Sequence, residues 1–233
     1  MENQLSETSC ARVRRADPRL CIDKCLQTVI ARTLPKRNFS NRRLGRNGRV
    51  WNDEHVAAEL AGAIVVRQVG SDANVASGLA DVLVDCVEGG ASVSFMLPLS
   101  RERAEAYWTS ALDSASRGDR IVMVAEEENT GAVVGTVQVL LTAPENQPHR
   151  GEIAKMLVHR RARRSGVAEA LMQAIEAAAR EVGKTLLVLD TSSADAERVY
   201  ERLGWQRVGV IPGYALWPTG GLVDTTVFYK KLS

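Results

Sequence analysis

Four arginines, at 160, 161, 163 and 164, stand in a turn that opens into a helix near Val167, with Gly166 at the junction. Ahead of the turn runs the apolar segment 153–158, read as a strand. A strand that feeds a Gly-containing turn and then a helix aims consecutive backbone N–H groups at one point. The positive end of the helix dipole lies there too. Such a point suits an anion, most simply a phosphate. The helix itself is legible by period: Val167, Leu171, Ile175, Ala178 and Val182 form one apolar stripe, and Gly183 followed by Lys184 marks its end.

The surrounding elements are regular enough to place that turn. A first strand is expected at 64–69. Asp72 caps a helix to about residue 87, carrying Val75, Leu79, Val82 and Leu83 on one face, and Ser100 caps another to about residue 116. Strands at 121–125 and 132–142 flank the turn Asn129-Thr130-Gly131. After the strand at 153–158 and its helix come a short strand at 185–190, a helix at 194–204, and strands at 206–211 and 222–232. The Pro/Gly-rich stretch 212–221 is expected to be the loop that joins the last two.

The spacing Arg163-x-x-Gly166-x-Ala168 resembles the acetyl-CoA pyrophosphate motif of the GNAT acyltransferase superfamily. Downstream, Ala196-x-x-x-Tyr200-x-x-x-Gly204-Trp205 is similar to a second signature of that family, and the order of elements from about residue 60 to 233 matches its fold. The resemblance implies an α/β (α+β) architecture: a central mixed, mostly antiparallel sheet with a splayed parallel strand pair and helices on both faces. It implies acetyl-CoA as the acyl donor and an N-acetyltransferase activity by direct attack of an amine.

Residue by residue, the resemblance gives backbone amides from Arg163 through Arg164, Ser165, Gly166 and Val167 to Ala168 the task of wrapping the pyrophosphate. Met156, Leu157 or Val158 would offer a backbone N–H to the thioester carbonyl, with the pantetheine arm pairing along the same edge. Ser193 stands where many relatives carry an Asn that contacts the cofactor; its hydroxyl either substitutes for that Asn or caps the helix. Tyr200 takes the place of the family's general acid, which returns a proton to the departing thiolate. Two carboxylates at strand ends, Glu152 and Asp190, are candidates for the base that relieves the incoming ammonium of its proton. Tyr214 and Trp217, in the aromatic stretch 212–221, are candidates for the wall of the acceptor pocket. The Pro-Gly-Tyr-Ala run beginning at Pro212, together with Leu189-Asp190-Thr191, resembles bacterial members of the tabtoxin-resistance type, which acetylate a small amine-bearing toxin.

Composition bounds the remaining readings. Residues 1–50 hold 12 Lys/Arg against 4 Asp/Glu, a net of +8; residues 51–233 hold 18 against 24, a net of −6. An acidic folded body at 61–233 with a basic, unstructured extension at 1–60 follows from that split. The acidic body speaks against broad nucleic-acid contact, leaving only the basic tail for an adaptor role, and no segment reads as membrane-spanning. Cysteines fall at 10, 21, 25 and 86 and histidines at 55, 149 and 159, which makes no metal set and no Cys–His catalytic pair. A reducing, cytoplasmic setting is the expectation. Gly183-Lys184-Thr185 echoes the end of a nucleotide-binding loop, but the earlier glycine is missing and the elements run in the wrong order. The acceptor is expected to be a small-molecule amine, with protein lysines or N-termini and a non-catalytic CoA-binding role as alternatives. The resemblance also admits a homodimer, for which no pattern in the chain speaks.

Overall fold

The computed structural model describes residues 63–232. The basic extension expected at 1–60, with Cys10, Cys21 and Cys25, lies outside the described residues. Within them the elements run β1 (Ile64–Val69), α1 (Ala73–Glu88), α2 (Arg101–Ser116), β2 (Arg120–Glu127), β3 (Val133–Leu140), β4 (Arg150–Val158), a 3-10 turn (Arg160–Ala162), α3 (Val167–Glu181), β5 (Leu186–Thr191), α4 (Ala194–Arg202), β6 (Gln206–Leu216) and β7 (Leu222–Lys231). Both expected caps are made: Asp72 accepts from the Asn74 N–H at 3.0 Å, and Ser100 from the Arg103 N–H at 3.2 Å.

The strands form one sheet in the order β1-β2-β3-β4-β5-β7-β6. Every pairing is antiparallel except β4 with β5, which is parallel and lasts only from Arg150↔Leu186 to Glu152↔Val188. Beyond Glu152 the two strands part. Alternation along β2 decides what covers each face. Val122 and Val124 pack with α1 and α2 around Leu79, Leu83 and Trp108. Ile121 and Met123 pack with α3 through Leu171, Met172 and Ile175. Each fully buried Leu or Ile on α3 contributes about 1.5–3 kcal/mol of hydrophobic stabilisation, so the stripe fixes the helix and with it the turn at its head.

Two polar ties brace this half of the molecule. Glu176 is buried on α3 and accepts from the Trp205 indole N–H at 2.8 Å and from Lys230 Nζ at 2.6 Å. The tryptophan of the second signature therefore pins the α4–β6 junction to α3. Lys184 donates to the carbonyls of Leu141 and Pro148, so the lysine of the nucleotide-loop echo is a strut between loops.

The stretch 212–221 departs from expectation. Strand β6 continues to Leu216, and its pairing with β7 skips from Ile211↔Thr225 to Ala215↔Val223, so residues 212–214 bulge out of an edge strand. A proline lacks the N–H that a ladder needs, and a bulge at an edge is where that lack is tolerated. Gly213, at φ +60, donates its N–H to Asp224 Oδ1 at 2.8 Å and fixes the bulge. Only the turn around Trp217 and Gly220 is loop. That turn is bonded to the α1–α2 connection: the Leu97 N–H donates to the Pro218 carbonyl at 2.9 Å, and Ser92 Oγ to the Leu216 carbonyl at 2.8 Å.

Candidate active site

Gly166 caps α3 with φ +84, a left-handed conformation that glycine adopts without strain, and a Cβ built there would meet nothing within 4 Å. Arg164 is also left-handed, at φ +63. The six consecutive amides of Arg164, Ser165, Gly166, Val167, Ala168 and Glu169 donate to no backbone or side-chain acceptor among the described residues. The Arg163 amide is the exception to the expected set: it is taken by the Arg160 carbonyl at 3.4 Å. A run of unsatisfied N–H groups at a helix start, with open space above its glycine, fits a diphosphate. The first turn of α3 can seat there because β3 has a glycine beneath it. A Cβ on Gly135 would come within 2.9 Å of Val167 Cγ1 and 3.1 Å of the Leu157 carbonyl.

The arginines divide. Arg160 is held by Asp85 at 2.8 Å and Arg161 by Glu127 at 3.0 Å, while Arg163 Nε reaches back to the Val158 carbonyl at 3.3 Å. Arg164 has no ion-pair partner among the described residues, which leaves its charge for a ligand. Ser165 Oγ donates to the Ala162 carbonyl at 2.6 Å. Ser193 caps α4 by accepting from the Ala196 N–H at 3.3 Å, and its hydroxyl proton remains to donate.

Where β5 leaves β4, the edge of β4 that carries Met156, Leu157 and Val158 has no strand beside it. The strand is also bulged. Leu157 pairs with Thr136 and Ala154 with Gln138, so Lys155 and Met156 together face Val137. Lys155 sits in the bulge at φ +51.

Tyr200 comes from α4 and is only 4% exposed, packed against Trp205 and Phe228 with ring centroids 5.9 and 5.8 Å away. Its hydroxyl makes no hydrogen bond with the described residues. Nor is it a sealed orphan, since Trp108 Nε1 is the only such side-chain atom among them. The phenol therefore opens on solvent from a dry pocket. Burial first, and the nearby charge of Asp190 second, push its pKa well above the usual tyrosine range.

Asp190 is exposed on β5 and accepts from Thr225 Oγ1 at 2.7 Å. Glu152, also exposed, is paired with Arg150 at 3.3 Å. Glu152 lies beside Val188, and Asp190 is two residues on, so strand alternation turns both carboxylates away from α3. Trp217 and Tyr214 are not brought together. Trp217 lines a cavity of about 530 Å³ with Thr191, Ser192, Glu197, Arg207 and Asp224, between the start of α4 and the terminal hairpin, whereas Tyr214 is 56% exposed and does not line it.

One residue near the splay escapes a reading of the sequence. Lys155 Nζ donates to Ser94 Oγ at 3.1 Å and lies 5.6 Å from the Tyr107 ring centroid and 5.9 Å from that of Phe95. Its sequence signal is slight: one cation within an otherwise apolar strand.

Comparison with known proteins agrees with this geometry. The model of the acetyltransferase (GNAT) family matches residues 92–205. An uncharacterised N-acetyltransferase from the hisH–hisA intergenic region of Azospirillum brasilense is 29% identical over 154 residues, covering 64% of this chain and 89% of that protein. Similar solved structures include an N-acetyltransferase of Staphylococcus aureus Mu50 at a TM-score of 0.63 and 16% identity, covering 74% of this chain and all of that one. The yncA protein of Salmonella typhimurium, solved with its cofactor acetyl-CoA, gives 0.61 and 19%, covering 74% and 95%. A phosphinothricin acetyltransferase of Sinorhizobium meliloti, also with acetyl-CoA, gives 0.63 and 17%, covering 73% and 89%. Fold, matched segment and relative together support a GNAT acetyltransferase, with acetyl-CoA as its acyl donor.

Proposed function

We propose that this enzyme acetylates the primary amine of a small molecule, the amine attacking directly and no covalent enzyme intermediate forming. Bound acetyl-CoA supplies an activated acyl thioester; the rest falls to the chain. The free amides from Arg164 to Glu169, with the dipole of α3 and the Arg164 charge, hold the diphosphate. The unpaired edge of β4, at Met156, Leu157 or Val158, directs an N–H to the thioester oxygen and stabilises the negative charge that gathers there during attack.

Asp190 takes the ammonium proton, directly or through water. It is favoured over Glu152 because its partner is a neutral hydroxyl, whereas Arg150 already compensates Glu152. Tyr200 delivers a proton to the sulfur of the leaving group; its raised pKa keeps it in the donor form. Ser193 offers its hydroxyl to the cofactor, and Trp217 walls the side from which the acceptor enters.

What carries the reading is the run of six unsatisfied amides around Gly166 beside a splayed strand pair. Gly166→Val strains a left-handed position and fills the space above it. We expect acetyl-CoA affinity in calorimetry to fall at least about tenfold, and acetyl-CoA-dependent thiol release across a panel of amines to fall with it. Equal affinity in the variant would remove the cradle and the function with it.

A further inference from the structure

We propose that the acceptor bears a carboxylate as well as its amine, and that Lys155 is the residue that binds it. The inference rests on the acetyltransferase reading above and names the substrate class of the same site.

The bulge in β4 puts Lys155 in a left-handed conformation that a lysine avoids unless its surroundings hold it there. Three groups from outside the strand do so: Ser94 and Phe95 from the α1–α2 connection, and Tyr107 from α2. Arg103 lies over the other ring of this wall, 5.7 Å from the Phe95 centroid, and the charge of Arg120 also reaches Lys155. The result is a half-buried ammonium with no carboxylate within 4.0 Å among the described residues. Ser94 accepts one of its three donors, leaving two.

A cation drawn out of water without a counter-ion is costly, and burial accordingly draws its pKa down. Asp190 acts in the opposite sense on Lys155 but from beyond ion-pair distance. Where the two strands part, an unpaired ammonium on one and a carboxylate on the next are together complementary to a zwitterion. The substrate's carboxylate meets Lys155, its ammonium meets Asp190, and Phe95 and Tyr107 shield the pair from water. Lys155 also precedes Met156, on the edge assigned to the thioester oxygen, so an acceptor anchored at Lys155 presents its amine to the reacting carbonyl. A bare monoamine would leave Lys155 uncompensated and bring a second cation beside it.

The test uses the full chain, saturating acetyl-CoA and matched acceptor pairs: α-amino acids and the amines formed by their decarboxylation. Wild type should favour the carboxylated member in kcat/KM by at least about tenfold, the range expected of a charge-assisted hydrogen bond. Lys155→Met should collapse that preference while the Kd for acetyl-CoA holds; Lys155→Arg should restore part of it. Preference for the decarboxylated members, or a preference that survives Lys155→Met, overturns the proposal. If neither series releases thiol although acetyl-CoA binds, the small-amine reading fails. The anion site is then judged by titrating N-acetyl amino acids onto the CoA-bound protein. Binding lost in Lys155→Met upholds the site, and no binding by wild type overturns it.

Discussion

Tyr200 illustrates how a packing residue can also be proposed as a proton donor. Its ring fills a pocket between Trp205 and Phe228, while its hydroxyl is left for the cleft. Because its pKa is raised, the phenol stays protonated throughout the neutral and mildly alkaline range. Any alkaline limb in the pH profile of kcat/KM therefore belongs to another group. Tyr200→Phe should lower kcat by roughly tenfold to a thousandfold, with acetyl-CoA affinity and the alkaline limb unchanged. An unaltered kcat in stopped-time assays removes Tyr200 as the acid. At this scale the sequence was uneven in what it disclosed. Tyr200 stood out as a candidate because it sits in a spaced signature with Ala196, Gly204 and Trp205. Lys155 could not, since its meaning depends on Ser94, 61 positions away, and on rings in another element.

At the level of elements, the seat of α3 depends on a side chain that is missing. Gly135 lies under Val167 and Leu171, and the nearest atoms to an added methyl are a β-branched methyl at 2.9 Å, a carbonyl oxygen at 3.1 Å and Leu171 Cδ1 at 3.1 Å. None is the free end of a long flexible chain. Gly135→Ala should cost about 1–3 kcal/mol in stability through overpacking, or roughly 2–4 °C of Tm for each kcal/mol. By tilting the first turn of α3 it should also weaken acetyl-CoA binding. A variant that melts with wild type, and binds equally well, would show that β3 does not set the turn. Element order, both helix caps and the stripe of α3 from Val167 to Ala178 were readable, since local propensity and burial point the same way there; Val182, expected in that stripe, is instead a half-exposed C-cap where the helix has already ended. The stretch 212–216 was misread because proline and glycine signal a loop locally, and only pairing with β7 keeps that stretch in the sheet. The bulge in β4 left no local mark at all.

Across the whole molecule, the groups given a role in chemistry all fall within 63–232: the amides at 164–169, the β4 edge, Lys155, Asp190 and Tyr200. No helix of the described residues is long and apolar enough to cross a membrane. The basic surplus of the chain lies elsewhere, with 12 Lys/Arg in the first 50 residues. Removing residues 1–60 should accordingly leave acetyl-CoA affinity and kcat within about twofold of the full chain, less than 0.5 kcal/mol. Calorimetry and thiol release check this, and a large loss would give the basic segment a part in the reaction.

The stitching of the α1–α2 connection to the terminal hairpin has a bearing on how such an enzyme can be redirected. Ser92 and Leu216 are 124 positions apart, yet they and the Leu97–Pro218 bond make one continuous rim. Grafting either stretch alone from a relative would strand the other's hydrogen-bonding groups, so a change of acceptor should require exchanging both halves of the rim together.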